Sequence, residues 1–131
     1  MSWKEGFKRG FDVVYELVSE KHADIRYPCC GGRFYWFLVS RHFESLYFYL
    51  TNDSIIYTAS SAYITEIPFS SIKKLSVKQG CIFKRSFNIH IVADKKYHFL
   101  VNDIKDFSTQ LTGDGSENVK KFLETLKMSV E

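Results

Sequence analysis

The residues in this chain best suited to nucleophilic or metal chemistry are its three cysteines and four histidines, and their spacing limits what they can do. Cys29 and Cys30 are adjacent. Neighbouring Cα atoms lie about 3.8 Å apart, whereas an ordinary disulfide wants about 4.4 to 6.8 Å, so the pair is not expected to bond to itself. A structural zinc site would need four ligands with cysteines spaced by about two to four residues, and this chain would have to recruit Cys81 with His22 or His42. Buried, inert thiols are the simpler reading. Cysteine catalysis needs a histidine and an orienting group nearby in space, and the sequence carries no signature of that arrangement. No catalytic residue, metal ligand or cofactor is assigned.

His90 and His98 have a more definite placement. Inward parity at Ile91 and Tyr97 requires an odd-numbered loop between their strands. With Ala93-Asp94-Lys95 as that loop, His90 falls directly opposite His98 on the outer face. Cross-strand Cβ atoms there lie about 5 Å apart, near enough to share a metal or to repel when both are protonated. Two ligands alone make a weak site, and a solvated pair is the plain alternative.

A third group is basic: Lys74, Lys78, Lys84, Arg85, Lys95 and Lys96 all fall in the last three strands and their connections. Gathered on one face, they would suit anionic lipid headgroups or an acidic protein. Lysine on an exposed strand is also an ordinary edge-protecting device. The net charge of +3 is too small to imply nucleic acid, and most aromatics have inward parity, whereas base-stacking platforms must face out.

The elements that position these groups follow from periodicity. Trp3, Phe7, Phe11, Val14 and Val18 recur at helical spacing and predict a helix over residues 2–21. Its apolar stripe is expected to dock on a sheet face or a second subunit. "HADIRYPCCGG" then reads as a helix-breaking linker, and period-two alternation runs from about residue 33 to 101. Arg33 to Ser40 and Ser45 to Thr51 are apolar at both parities and are expected to be covered on both faces. Leu75, Val77, Phe87, Ile89, Ile91, Tyr97, Phe99 and Val101 point inward, with turns at Thr51 to Ser54, Gln79-Gly80 and Ala93 to Lys95. After Gly113-Asp114-Gly115, Val119, Phe122, Leu123 and Leu126 form the stripe of a closing helix capped by Asp114 or Ser116.

At 131 residues, with 45% apolar and 25% charged residues, the chain is the size and composition of one globular domain. Its longest apolar run, Phe34 to Val39, is far short of the roughly 20 residues of a membrane span, and the start lacks the apolar stretch of a signal peptide. An odd cysteine count fits a reducing compartment, so a cytoplasmic location is expected, with peripheral membrane contact compatible with it.

Six or seven antiparallel strands followed by one amphipathic helix is the element order of the pleckstrin-homology-like barrel. The stretch "YFYLTNDSIIYTASSAYITEIPFSSIKKLSV" resembles the bacterial PH-like and GRAM-like families in its strand ending in Leu-Thr, its polar turn, the strand "SIIY" and the Ile67-Pro68-Phe69-Ser70-Ser71-Ile72 entry to the next strand. The resemblance covers roughly residues 33 to 128. It implies a mainly β (α+β) fold, a PH-like barrel of about seven antiparallel strands plugged by a C-terminal helix, and binding rather than catalysis. Residues 1–32 are then an added N-terminal helix and linker, and 33–131 the PH-like domain. Only Arg41 and His42 stand at the first turn, where phosphoinositide-binding PH domains carry a basic cluster, and the final helix has Phe122 and Leu123 near the usual tryptophan position. The expected function is a non-catalytic binding or assembly module that attaches to an anionic membrane surface or an acidic protein through the basic face. Self-association through the aromatic strands and the N-terminal helix is the alternative. A ligand carrier or enzyme of helix-grip or cystatin-like fold is a third reading, and would need a polar-lined cavity.

Overall fold

The structure, a computed structural model, describes residues 3–59, 63–80, 86–102, 108–109 and 111–130, with the side chains of Trp3, Lys4, Phe7 and Ser108 outside the description. Helix α1 (Trp3–Lys21) is followed by strands β1 (Arg26–Phe37), β2 (Ser40–Leu50), β3 (Ser54–Thr58), β4 (Ile64–Pro68), β5 (Lys74–Gln79), β6 (Ser86–Val92) and β7 (Lys96–Asn102). A two-residue ladder, β8 (Ser108–Thr109) with β9 (Gly113–Asp114), leads into helix α2 (Gly115–Val130). Asp114 caps α2, accepting the backbone N–H of Glu117 at 3.0 Å.

All seven long strands join one antiparallel sheet in the order β4-β3-β2-β1-β7-β6-β5. Two meanders are thus stitched together by β1, which pairs with β2 along its length and with β7 at Cys30, Gly31 and Gly32. The sheet curls over its core: Tyr57 of β3 and Phe99 of β7, three strands apart in that order, have ring centroids 4.8 Å from each other. It does not close, since β4 and β5 stand at opposite ends and form no ladder with each other among the described residues. The mainly β fold, the seven strands and the two helices are as expected; the closed barrel is not seen.

The inner face holds the main core. Leu46, Phe48, Leu50, Ile55, Ile67, Ile89, Ile91, Phe99 and Val101 are buried there, and Val119, Phe122, Leu123 and Leu126 of α2 complete it. On the opposite face α1 covers the first meander. Val14, Tyr15 and Val18 pack on Tyr49, Ile56 and Ile25, while Phe11 packs on Cys30 and Tyr47. This explains why β2 and β3 are apolar at both parities over Tyr47–Leu50 and Ile55–Tyr57.

β1 starts well before residue 33. Pro28, Cys29, Cys30, Gly31 and Gly32 are buried strand residues, the last three lying between β2 and β7, and not a linker. A Cβ on Gly31 would collide with the Leu100 carbonyl, and one on Gly32 with the Glu44 carbonyl and the Phe43 ring. Close approach of backbone, rather than freedom to turn, is what this glycine pair supplies.

Candidate functional site

Register and burial sort the second meander into two faces. Leu75, Val77, Phe87, Ile89, Ile91, Tyr97, Phe99 and Val101 pack into the core, so their strand neighbours present the opposite face. Rows across that outer face follow from the pairing: Lys74, Val92 and Lys96; Ser76, His90 and His98; Lys78, Asn88 and Leu100. Lys74, Lys78, His90, Lys96 and His98 are exposed.

The face continues onto the first hairpin. Cys30 packs beneath α1 on the outer side, so Gly32, Phe34 and Trp36 share its parity in β1. Across from Phe34 lies Phe43, with ring centroids 5.1 Å apart. Arg41 lays its guanidinium over the Phe34 ring, 4.1 Å from the centroid. Among the described residues the outer face of β5, β6, β7 and this hairpin carries no aspartate or glutamate. Glu44 has the other parity and pairs with Arg33 at 2.9 Å. Asp94 accepts the Tyr97 hydroxyl at 3.1 Å at the rim of the core side.

His90 and His98 are opposite each other as expected, and their rings stack with centroids 4.2 Å apart and planes 7° apart. His98 Nε2 lies 3.1 Å from Asn88 Oδ1. Partial burial, then His90 and then Arg41, hold the His98 imidazole below its ordinary pKa. Parallel rings aim their nitrogen lone pairs alongside one another rather than at a common point. No cluster of three or more His, Cys, Asp or Glu side chains that could hold a metal occurs among the described residues.

Of the basic residues singled out in the sequence, Lys74, Lys78 and Lys96 come together on the outer face. Lys95 does not join them: its ammonium sits 5.3 Å from the centroid of Tyr97, which points to the core. Lys84 and Arg85 lie outside the described residues, as does Cys81. Arg41 belongs to the group, although its place in the sequence marks it only as a turn residue. The stripe Phe11, Val14 and Val18 is spent on α1 docking, while the side chains of Trp3 and Phe7 lie outside the description.

Cys29 and Cys30 are buried thiols on opposite faces of β1. Cys29 donates to the Tyr27 carbonyl at 3.2 Å. Burial pushes the Cys30 thiol up to about 12, so it is not a thiolate at neutral pH.

The tip of the first hairpin departs most from expectation. Instead of being covered on both faces, Phe34, Tyr35, Trp36, Phe37, Leu38, Val39 and Phe43 are all exposed, reaching 71% at Trp36, 86% at Leu38 and 91% at Val39. The ladder explains it. β7 pairs with β1 only as far as Gly32, and β3 pairs with β2 only from Tyr47 onward. From Arg33↔Glu44 to Phe37↔Ser40 the hairpin is a two-stranded ribbon with no third strand beside it among the described residues. It extends about 17 Å beyond the sheet at the usual rise per residue.

No family model, curated protein or solved structure matches the chain. No helix among the described residues is long and apolar enough to cross a membrane.

Proposed function

We propose that this chain is a non-catalytic, PH-like binding module that docks its outer face on an anionic surface. The observation that carries the reading is the charge distribution: Lys74, Lys78, Lys96 and Arg41, joined by His90 and His98, share the part of the outer face made by β5, β6, β7 and the first hairpin, which carries no carboxylate among the described residues. Glu66 of β4 and the acidic residues of α1 lie over the first meander instead. A solubilising surface ordinarily mixes the two signs. Positive potential left unopposed across several strands attracts polyanions and falls off within a Debye length. Two antiparallel meanders with a C-terminal helix across their inner face support the PH-like assignment. The helix-grip alternative is less well supported, because α2 packs Val119, Phe122, Leu123 and Leu126 into the concave side of the sheet.

Co-sedimentation with vesicles containing phosphatidylglycerol tests the reading. Binding is expected to weaken as salt rises, and Lys74→Glu/Lys78→Glu/Lys96→Glu is expected to abolish it, each lysine near the surface being worth about 1 kcal/mol. Full retention by a folded triple variant would reduce the face to a solvated edge.

A further inference from the structure

Exposure and backbone strain coincide at the apex of the first hairpin. The turn between Phe37 and Ser40 has two residues, Leu38 and Val39, and Leu38 sits at φ 58°. Tight hairpin turns of this kind take Asn-Gly, Asp-Gly or Gly at the positive-φ positions, where a branched side chain is strained. Here the strained position holds leucine, followed by valine, and both are almost fully exposed. Neither folding nor solubility favours that choice, so it points to a requirement imposed from outside the fold.

We infer that the segment Trp36 to Val39 is a wedge that enters the interfacial layer of an anionic membrane, with Arg41 left at headgroup level. The inference rests on the docking reading above and specifies its surface as lipid. The apex presents aliphatic side chains, which partition among acyl chains, and Trp36 with Tyr35 stands just behind them, where aromatic rings favour the headgroup boundary. Arg41 and the lysine-bearing outer face continue from the ribbon without an intervening carboxylate among the described residues, which matches an anionic bilayer.

Other occupants fit less well. A second copy meeting the same patch by two-fold symmetry would set Arg41 and the lysines of one chain against those of the other. Single-stranded nucleic acid needs aromatic platforms among the basic residues; here the aromatics crowd the ribbon and the outermost residues, Leu38 and Val39, offer no ring for a base.

The wedge predicts opposite effects of one substitution. In a Trp3→Phe background, which leaves Trp36 as the single tryptophan of the chain, Leu38→Asn/Val39→Gly is expected to keep or raise the melting temperature and to weaken binding to phosphatidylglycerol vesicles about ten-fold or more. Trp36 fluorescence should shift to the blue on vesicles for the parent and stay unshifted for the variant. Salt-sensitive vesicle binding that is equal in parent and variant, with no blue shift, would overturn the wedge and leave the docking reading standing. Tip-dependent binding that ignores salt and is equal on phosphatidylcholine would overturn the docking reading and, with it, the anionic membrane assigned to the wedge. Three further results each overturn the wedge: a dimer by light scattering that the tip variant dissolves, capture by an oligothymidylate, or binding to an acidic polypeptide but to no vesicle.

Discussion

The imidazoles of His90 and His98 stack face to face across the β6–β7 ladder, with centroids 4.2 Å apart and planes 7° apart. Burial, His90 and Arg41 all disfavour a proton on His98, whose pKa is lowered from its ordinary 6.5. The unfolded chain therefore takes up this proton at a higher pH than the folded one does. The stability tied to neutral His98 is present above pH 6.5 and is lost as pH falls through the folded value. Urea midpoints at pH 7.5 and 5.0 should show a smaller acid loss for His98→Asn than for the parent. Equal losses would mean that the stack does not resist protonation.

The buried thiols should be chemically silent. Cys30, with its pKa pushed up to about 12, and Cys29, bonded to the Tyr27 carbonyl, are expected to resist iodoacetamide in the native protein and to react on unfolding. Rapid labelling of either in the native state, read by peptide mass spectrometry, would contradict this.

Tyr49 is fully buried beneath α1, and its hydroxyl has no hydrogen-bond partner among the described residues. Removing an unsatisfied buried hydroxyl relieves a desolvation cost of about 1 to 3 kcal/mol. Tyr49→Phe should accordingly raise the denaturation midpoint. A loss of stability would show that the hydroxyl is satisfied in solution.

Gly31 and Gly32 should tolerate no side chain. Because the colliding atoms include the backbone carbonyls of Leu100 and Glu44, relief requires β1 to move away from a neighbouring strand. Gly31→Ala or Gly32→Ala is expected to cost more than the 0.5 to 3 kcal/mol common to point substitutions, in the range of about 4 kcal/mol or beyond, or to prevent folding. Near-parental melting of Gly31→Ala would disprove the tight crossing.

Docking of α1 is a stability claim as well. Phe11 and Val18 are buried against the first meander, and Thr109 donates to Asp12 at 2.7 Å from the segment before α2. Phe11→Ala should cost about 3 to 5 kcal/mol. A loss below 1 kcal/mol, measured by urea unfolding, would mean that the helix is not held on the sheet.

Local pattern alone determined much of this protein. Helical spacing placed α1 and α2, and alternation assigned the inward residues of β5, β6 and β7 correctly. An odd loop was enough to set His90 against His98, because a hairpin's register depends only on its turn and its own two strands. Tertiary structure decided the rest. Gly31 and Gly32 read locally as a break; they are strand residues only because β7, some seventy positions away, presses its backbone against them. The run Phe34 to Val39 reads as a strand covered on both faces, since periodicity records side-chain polarity and not the presence of a neighbour. Whether a third strand reaches that far depends on where the β1–β7 and β2–β3 ladders stop, which is a property of the curled sheet. Arg41 joined the basic face for the same reason: β1 brings its hairpin partner alongside β7, and no sequence window contains both.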